Sequence, residues 1–408
     1  MMMTSLKARF VKGLKLIIRY GLIVINDGFI CFKPNPKLTI FESFNGNDIN
    51  DNPAAIYREL VTHHPELRQT AYFSVKPRVY AELRQRYPEI KLLRRFSLKW
   101  VWVMAHAKVW VFNSRMPQWW RKNRQTTYIQ TWHGTPLKRL GVDIEHVAIP
   151  GNTTEDYGRQ FIREAARWQY LIAPNAFSKK VFRSAFQFHN EFLPVGYPRN
   201  DVLYRDNQPA TVAQIKKKLV GSATATVILY APTWRDDDAI KAGRYHFKLP
   251  FDLGHFFEHV SADTILVLRP HYLVKDHIDI TGFEDRVKIL ADNDIAQLYL
   301  MADLLITDYS SVMFDYANLE RPMLFYAYDL AHYRDELRGF YFNYQAEIPG
   351  PLATTESDLH AALDTFYQDR CFPAYRAALM GFSQKYCGWE TGRASAEVVK
   401  IMEQEMTK

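Results

Sequence analysis

Residues 304–326 read LLITDYSSVMFDYANLERPMLFY and carry the clearest secondary-structure pattern in the chain. The apolar runs at its two ends, Leu304–Thr307 and Met323–Tyr326, are short and continuous, as buried strands are. The intervening segment Ser311–Leu319 has the apolar spacing of a helix. A strand, a helix and a second strand in this order predict a parallel sheet with helices packed on its faces.

The same alternation recurs on both sides of this segment. Two series of alternating strands and helices predict an α/β protein with two Rossmann-like domains, residues 31–200 and 201–375. The boundary between them is placed in the polar, proline-bearing stretch around residues 196–207. Ligands of such sheets bind at the carboxyl ends of the strands, so the cleft between the two domains is the expected active site. The other predicted strands are Leu38–Phe44, Thr70–Val75, Lys108–Asn113, Thr127–Thr131, Tyr170–Ala173, Val227–Tyr230, Thr264–Arg269 and Val287–Leu290, and the other predicted helices include Asn52–His63, Ser178–Phe186 and Asp294–Met301.

The composition is that of a globular protein. Of the 408 residues, 48% are apolar and 24% are charged, which excludes a disordered chain, a fibrous rod and a polytopic membrane protein. The 52 basic residues exceed the 44 acidic residues, giving a net charge of +8 that favours anionic partners. The three cysteines, Cys31, Cys371 and Cys387, are widely spaced, form no zinc motif and fit a reducing compartment.

Residues 1–30 predict a basic amphipathic helix. At about 100° per residue, Leu14, Ile17 and Ile18 lie on one side of this helix, and Lys15 and Arg19 lie on the other. This pattern is typical of a segment that lies in a membrane interface. Its charges make the apolar stretch too short to cross a bilayer, and it lacks the cleavage site of a signal peptide. Packing of the helix against the protein's own core is the alternative.

A polar motif follows a predicted strand of the first domain. The sequence TWHGTP (131–136) places His133 on a tight loop at the carboxyl end of that strand. Histidine is a suitable general base for a hydroxyl group, because its pKa lies near neutral pH. A loop histidine that only hydrogen-bonds the main chain is the alternative. Lys138, five residues further on, could contact an anion or be solvated.

Three polar motifs follow strands of the second domain. The sequence APTWR (231–235) ends in Arg235, whose guanidinium suits phosphate, although a surface arginine is an equal alternative. The sequence LRPH (268–271) places Arg269 and His271 on one face of an extended segment, where both can contact one anion. The sequence TDYSS (307–311) puts hydroxyl groups before a helix, where they cap it or bind an anion. Together these motifs predict a transferase for a nucleotide-activated, phosphorylated substrate, and the absence of GxGxxG argues against a nicotinamide cofactor.

Several motifs, occurring in one order, resemble the CDP-glycerol glycerophosphotransferases of teichoic-acid synthesis. The resemblance spans roughly residues 110–400, and Asn113 and Arg115 also occupy positions of that family. The motifs are YIQTWHGTPLKRLG (128–141), FLPVGYPRND (192–201), YAPTWRD (230–236), LRPH (268–271) and ADLLITDYSSVMFDYANLERPMLFYAYDLAHYRDELRGFYFNY (302–344).

The resemblance implies a GT-B fold, in which two Rossmann-like domains face each other across a cleft and residues 201–375 hold the CDP-linked donor. It implies that the helices of residues 376–408 pack back on the N-terminal domain. It also implies a peripheral protein on the cytoplasmic face of the cell membrane, with CDP-glycerol, a lipid-linked saccharide or polyol-phosphate acceptor and an anionic membrane surface as partners. The length is closer to that of a priming enzyme than to that of the larger polymerases, although short polymerising relatives exist. No cofactor, no essential metal and no nucleic-acid partner are expected.

The resemblance further implies roles for individual residues. His133 is expected to act as the base on an acceptor hydroxyl, which attacks the β-phosphorus of CDP-glycerol so that CMP leaves. His271 and Arg269 are expected to stabilise charge on the pyrophosphate. Donor-phosphate contacts are expected from Arg235, Thr233, Thr307, Asp308, Ser310 and Ser311, and acceptor or cleft contacts from Asn113, Arg115, Trp132, Gly134, Thr135 and Lys138.

Other functions remain compatible with the sequence. A CDP-ribitol-dependent transferase, or an enzyme of capsule synthesis, would differ only in the side chains around the polyol. A GT-B glycosyltransferase for a nucleotide sugar would need an acidic sugar-binding residue, and Asp315 or Glu320 could serve. A non-catalytic membrane scaffold fits poorly with the presence of both histidines, and no nucleic-acid-binding motif is present.

Overall fold

The computed structural model describes residues 2–145, 153–233, 239–241, 244–245, 249–270, 278–330 and 339–408. Side chains are described within these ranges from residue 13 onward, except at 239–245. The predicted site residues Arg235 and His271 lie outside the described residues.

The N-terminal domain is built on a seven-stranded sheet in the order β3-β2-β1-β4-β5-β6-β7, in which every neighbouring pair is parallel. The central strand β4 reads AKVWVF and is buried along nearly its whole length, as a strand covered on both faces must be. The strands are β1 (Asn35–Glu42), β2 (Ala71–Val75), β3 (Lys91–Arg94), β4 (Ala107–Phe112), β5 (Thr127–Gln130), β6 (Tyr170–Ile172) and β7 (Glu191–Leu193).

The C-terminal domain is built on a six-stranded parallel sheet in the order β12-β11-β8-β13-β14-β15. A separate antiparallel pair, β9 and β10, lies between β8 and β11 in the chain. The strands are β8 (Thr226–Tyr230), β9 (Ala239–Lys241), β10 (Arg244–Tyr245), β11 (Thr264–Leu268), β12 (Val287–Ile289), β13 (Leu304–Thr307), β14 (Met323–Tyr326) and β15 (Leu352–Ala353).

Helices form most of the crossovers between parallel strands, whereas β4 and β5 are joined by residues 113–126 without a helix. The described α-helices are α1 (Met2–Phe29), α2 (Asp51–His63), α3 (Tyr80–Arg86), α4 (Leu98–His106), α5 (Thr154–Ala165), α6 (Ala176–Ala185), α7 (Asp201–Arg205), α8 (Pro209–Val220), α9 (Leu253–Glu258), α10 (Ile295–Met301), α11 (Val312–Tyr316), α12 (Tyr344–Glu347), α13 (Glu356–Asp369), α14 (Arg376–Cys387) and α15 (Ala394–Thr407).

The ten predicted strands are all present, and the prediction of two Rossmann-like α/β domains is confirmed. Three strands of the two sheets were not predicted: β3, β7 and β15. Each is an edge strand of two to four residues, so its sequence carries too short an apolar run to stand out. The predicted strand Leu38–Phe44 ends earlier, at Glu42, because Phe44 and Asn45 have positive φ angles and turn the chain away.

Helix α1 is continuous, and from residue 13 onward its side chains show two different environments. Every residue from 13 to 21 is exposed, so packing of the whole helix on the protein's own core is wrong for this part. From Leu22 onward the helix lies against α4, and the side chain of Asn26 donates a hydrogen bond to the main-chain oxygen of Arg121 at 3.0 Å. Among the described residues, no helix combines the length and the apolar character needed to cross a bilayer.

The two C-terminal helices divide between the domains. Helix α14 contributes Leu379 and Phe382 to the apolar core of the C-terminal domain. Helix α15 contributes Val398 and Met402 to the core of the N-terminal domain, and Glu405 accepts hydrogen bonds there from side chains of β5 and β6. Helix α14 also reaches the N-terminal domain, since the side chain of Asn175 donates to the main-chain oxygen of Tyr386 at 2.8 Å, so residues 376–408 contact both domains.

Candidate active site

The candidate site lies where the strand order reverses in each sheet. The reversal falls between β1 and β4 in the first sheet and between β8 and β13 in the second. Ligands of open parallel sheets bind outside the carboxyl ends of the strands at such points. The two ends meet, since a Cβ atom added at Gly134 would lie 3.2 Å from Oγ of Ser311. The loop after β5 therefore contacts the segment between β13 and α11 across the cleft.

His133 is fixed in one tautomer by its surroundings. Its Nδ1 lies 2.8 Å from the main-chain oxygen of Asn113 at the end of β4. A carbonyl oxygen only accepts hydrogen bonds, so Nδ1 carries the proton. In the neutral ring, Nε2 then holds a free lone pair and can accept a proton. The ring also stacks on Trp132 at 4.5 Å and meets the edge of Phe44 at 5.7 Å, which restricts its rotation.

The loop that carries His133 is itself held rigidly. Trp132 has a positive φ of 53°, an uncommon conformation for a bulky residue. Its main-chain N–H donates to the side chain of Gln130 at 2.9 Å, and its carbonyl accepts from Asn52 Nδ2 at 3.2 Å. These bonds come from β5 and α2, so two elements of the N-terminal domain hold the strained residue and present His133 to the cleft.

The pKa of His133 is lowered by its position. The ring is accessible to solvent, but it lies deep between the two domains, and this burial disfavours the charged imidazolium. The hydrogen bond to Asn113 and the charge of Asp51 oppose the shift, and the charge of Arg199 adds to it. His133 is therefore neutral at pH 7, as a general base must be.

The pH dependence of turnover should report this shift. If His133 is the base, as the sequence predicts, its protonation stops turnover, and a lowered pKa moves that loss to more acidic pH. We expect the acid limb of kcat/KM to lie below pH ~6.5, the ordinary value for histidine. The measurement is the rate of CMP release between pH 5 and 9. An acid limb clearly above pH ~6.5 would contradict the assignment of the base.

Three other predicted residues, Asn113, Arg115 and Thr135, pack within the N-terminal domain rather than line the cleft. Asn113 and Thr135 are buried, and the side-chain oxygen of Asn113 accepts from the main-chain N–H of Phe44 at 2.7 Å. Arg115 lies over the ring of Phe161 at 3.7 Å, and burial lowers its pKa. The structure thus does not bring Arg115 to His133 by any described contact.

Lys138 joins the two domains through its main chain. It forms an isolated antiparallel bridge with Phe340 of the C-terminal domain. On either side of it, the N–H of Arg139 donates to the oxygen of Gly339 at 2.9 Å, and the N–H of Tyr341 donates to the oxygen of Leu137 at 3.0 Å. The segment that follows the loop of His133 is therefore tied to the opposite domain.

The carboxyl end of β13 differs in part from the prediction. The hydroxyl of Thr307 is fully buried and donates to the main-chain oxygen of Ala231 at 2.7 Å, so it is not available as a donor to phosphate. Asp308 accepts a hydrogen bond from the main-chain N–H of Thr233 at 2.8 Å. This bond joins the ends of β8 and β13 at the point where the strand order reverses. Thr307 and Asp308 therefore both position the loops there.

Ser310, Ser311 and Arg269 remain at the cleft. Ser311 precedes α11 but makes no side-chain capping bond, contrary to the simple capping interpretation. Ser310 Oγ lies 3.5 Å from the N–H of Val312. Arg269 follows β11, and its N–H donates to the oxygen of Tyr230 at 2.9 Å. Its side chain is half-buried, which lowers its pKa.

A buried ionic network that the sequence did not predict joins the domains beside this site. Arg199 contacts the carboxylate of Asp51 at 3.2 Å and that of Asp315 at 2.9 Å. Asp51 begins α2 and Asp315 lies in α11, so one guanidinium bridges the two domains. The side chain of Asn200 donates to Asp315 at 3.1 Å and to Glu390 at 3.0 Å. Arg199 and Asn200 belong to the motif FLPVGYPRND, which supports the family resemblance and the domain boundary, and no ionic role was predicted for them.

Within this network, as far as the structure describes it, Glu390 is the carboxyl group whose pKa is strongly raised. Burial raises it to about 8, although hydrogen bonds from Tyr197 and Asn200 oppose the shift. The folded protein therefore binds a proton that the unfolded chain releases near pH ~4.3. Stability from this group is complete below that pH and is lost as the pH rises through about 8.

Replacement of Glu390 by Gln should remove this pH dependence. Gln mimics the protonated carboxyl group in size and hydrogen bonding. We expect E390Q to match the wild type in free energy of unfolding near pH 5 and to exceed it by a few kcal/mol near pH 9. Chemical denaturation at both pH values measures this. Equal loss of stability in both proteins on going to pH 9 would show that Glu390 is ionised in the fold.

The carboxylates near the cleft do not form a metal centre in the described part of the chain. No group of three His, Cys, Asp or Glu side chains there is arranged to hold a metal ion. Asp315 is bonded to Arg199 and Asn200. That the reaction needs no metal stays a prediction.

Two parallel-sheet domains that face each other across a cleft, with the polar residues at the carboxyl ends of their strands, define a transferase of the GT-B class. The chain belongs to the CDP-glycerol:poly(glycerophosphate) glycerophosphotransferase family, which residues 28–404 match. It is thus a CDP-glycerol-dependent glycerophosphotransferase of teichoic-acid synthesis.

The relatives at high identity are named as enzymes that make poly(glycerol phosphate). The chain is 47% identical over 368 residues to the teichoic acid poly(glycerol phosphate) polymerase of Bacillus subtilis, covering 90% of this chain and 48% of the polymerase. It is 43% identical over 396 residues to the protein of the same name from Bacillus spizizenii, covering 95% of this chain and 98% of that protein. The solved structure of the wall teichoic acid polymerase TagF has a TM-score of 0.86 at 36% identity, over 98% of this chain and 97% of that one.

Proposed function

We propose that this chain extends poly(glycerol phosphate), with His133 as the general base. The carrying observation is the hydrogen bond from Nδ1 of His133 to the main-chain oxygen of Asn113, which leaves Nε2 as the proton acceptor. The positive φ of Trp132 and the closeness of Gly134 to Ser311 of the other domain support a position of this ring at the cleft.

The reaction is a single displacement at phosphorus. Nε2 of His133 removes the proton of an acceptor hydroxyl, whose oxygen attacks the β-phosphorus of CDP-glycerol. The bond from the β-phosphorus to the bridging oxygen breaks, and CMP leaves with that electron pair. Because phosphoryl transfer depends on positioning and on stabilisation of charge, Arg269 at the end of β11 is suited to the donor pyrophosphate.

Chain extension, rather than a single addition, is supported by the relatives. Both Bacillus proteins described above are named as polymerases, and one of them is matched over nearly its full length. The acceptor is then a lipid-linked chain that already ends in glycerol phosphate. The prediction from length alone favoured a priming enzyme, and the proposal differs from it on this ground.

An assay of products tests the proposal. Purified protein is incubated with CDP-glycerol or CDP-ribitol and with a lipid-linked disaccharide that carries no glycerol phosphate or one. We expect CMP release only with CDP-glycerol and a ladder of products on the acceptor that carries one unit. One addition to the bare disaccharide would make the protein a primase, and faster CMP release from CDP-ribitol would overturn the choice of donor.

We also propose that the protein lies on the inner surface of the cell membrane, held by α1 and its neighbours. Ile17 and Val24 of α1 are each 70% exposed, and Phe32 and Leu98 are 63% and 67% exposed. Trp102 of α4, whose ring stacks on His106, is also exposed. Exposed large apolar side chains grouped on one end of a domain mark an interaction surface. The lysines and arginines of α1 suit an anionic lipid surface.

Two substitutions on α1 should release the protein from membranes. Ile17→Glu with Val24→Glu removes two apolar contacts, each of which contributes about 1.5–3 kcal/mol when buried. We expect co-sedimentation with phosphatidylglycerol vesicles to fall at least ~10-fold, while CMP release with a soluble acceptor stays unchanged. Met380→Glu, an exposed position on α14, is the matched control. Equal vesicle binding by the double variant and the control would contradict the proposal.

A further inference from the structure

A second concave site lies in the C-terminal domain, away from the cleft. Its cavity has a volume of ≈ 360 Å³. Thr226, Asp303 and Pro322 line it, and they stand at or directly before the amino ends of β8, β13 and β14. The candidate active site uses the carboxyl ends of the same sheet. Strands rise about 3.3 Å per residue, so the five residues of β8 separate the two edges by roughly 17 Å.

The wall of this cavity carries a positive charge. Lys216, Arg321 and Arg370 contribute three cations, and Asp303 contributes one carboxylate. Lys216 is buried and donates to Oδ2 of Asp303 at 2.7 Å, so these two charges neutralise each other. Asp263 bonds the start of β8 but is not part of the wall. The charge that the cavity presents is that of the two arginines.

Arg370 is held by one hydrogen bond, and most of its N–H donors remain without a partner among the described residues. Its Nη1 donates to the hydroxyl of Thr226 at 3.0 Å, and its guanidinium lies over the ring of Tyr367 at 4.6 Å. It forms no ion pair with a carboxylate in the part of the chain that the structure describes. A guanidinium that lies over an aromatic ring and keeps free N–H groups is well placed to bind a phosphate.

Arg321 stands on the other side of the cavity. Its Nη1 donates to the main-chain oxygens of Leu300 and Ala302 at the end of α10, and its Nη2 donates to the side chain of Asn207. The carbonyls at the end of α10 carry partial negative charge and offset part of its charge, but Arg321 forms no ion pair with a carboxylate among the residues that the structure describes. Two arginines without acidic partners therefore face one cavity, and the ring of Phe366 and Pro322 supply its apolar wall.

We propose that this cavity binds a phosphate group of the growing poly(glycerol phosphate) chain. The inference rests on the proposed function, because that function supplies a polymer with one phosphate per glycerol. Because the buried sheet separates the two sites, a chain must pass around the outside of the domain to occupy both, so only products of more than several units can do so. Binding at the cavity would keep such a chain on the enzyme between additions, so it would lengthen products without taking part in the chemistry.

The test compares two matched arginine variants. Arg370→Gln removes the charge at the cavity, and Arg84→Gln removes an equally exposed arginine of the other domain that also donates one hydrogen bond to a hydroxyl, that of Tyr80. Calorimetry in the absence of donor measures the binding of three separate probes: a glycerol phosphate trimer, CMP and inorganic phosphate. Product length and CMP release from an acceptor of one unit are measured with donor.

Because hydrogen bonds to charged groups are the stronger ones, Arg370→Gln should weaken trimer binding at one of two sites about 10-fold. It should shorten the products and leave CMP release from the one-unit acceptor unchanged, whereas Arg84→Gln should change none of these. Unchanged trimer binding and product length in Arg370→Gln would overturn the inference. Binding of CMP or of inorganic phosphate at Arg370 as tight as that of the trimer would also overturn it, in favour of a free ligand. Failure of the wild type to release CMP would instead refute the proposed function, since trimer binding is measured without donor.

Discussion

His133→Ala should lower the rate of CMP release by roughly 10²–10⁴-fold, the usual contribution of a general base. The variant loses Nε2 as the proton acceptor, while the donor still binds at the other domain. The loss should therefore fall on kcat, and the KM for CDP-glycerol should change little. The acid limb of the pH profile should disappear in the residual activity, because the group that titrates is gone.

The control for this result is His189→Ala, which removes an exposed histidine of the same domain. It should keep the wild-type rate. Thermal unfolding of both variants checks that the fold is retained, and the stacking of His133 on Trp132 is the contact whose loss could lower the melting temperature. A His133→Ala enzyme with near-native turnover and an unchanged acid limb would assign the base to another residue.

Arg199→Ala should destabilise the protein by about 3–5 kcal/mol, the cost of removing one partner from a buried ion pair. The side chains of Arg199, Asp51 and Asp315 have relative exposures of 13%, 8% and 9%, so the two carboxylates would be left without their shared counter-charge. Activity should fall as well, because these contacts join the two domains beside His133. The free energy of unfolding from urea titration and the rate of CMP release measure the two effects.

Two further variants separate the bridge from a simple loss of charge. Arg199→Lys keeps the charge, but its single ammonium group cannot contact both carboxylates as the two Nη groups of arginine do. Its loss of stability and of activity should therefore be intermediate. Arg205→Ala removes an exposed arginine that pairs with the neighbouring Asp206, and should cost less than ~1 kcal/mol. Equal stabilities for Arg199→Ala and Arg205→Ala would mean that the bridge does not hold the domains.

The two-domain fold was predictable because its central strands are buried on both faces. Strands such as β4 and β13 read as continuous apolar runs, and this signal does not depend on tertiary contacts. The edge strands β7 and β15 have only three and two residues and are defined by their pairing with a neighbour, which the sequence does not show. The exposure of residues 13–21 in α1 was likewise undetermined, since the same helical pattern fits a core and a membrane surface.

The position of the site was predictable from the sequence, but the role of each residue in the site was not. His133 stood out because a histidine on a loop after a strand is uncommon and chemically useful. Thr307 carried the same signal, yet its hydroxyl is consumed by the oxygen of Ala231 on a neighbouring strand. Arg199 and Asp315 are 116 positions apart in sequence, so their contact depends on how the domains meet. Local patterns contain no information about such pairings.

The main-chain bonds between residues 137–139 and 339–341 have a mechanical consequence for catalysis. They begin four residues after His133 in the chain and attach this segment to the domain opposite its own. A hinge rotation that opened the cleft would pull on the loop and carry the imidazole away from its carbonyl partner. Opening would therefore disarm the base, and closure would restore it. Such a linkage would lower the hydrolysis of CDP-glycerol, because a histidine displaced from its carbonyl partner would activate water poorly in an open cleft.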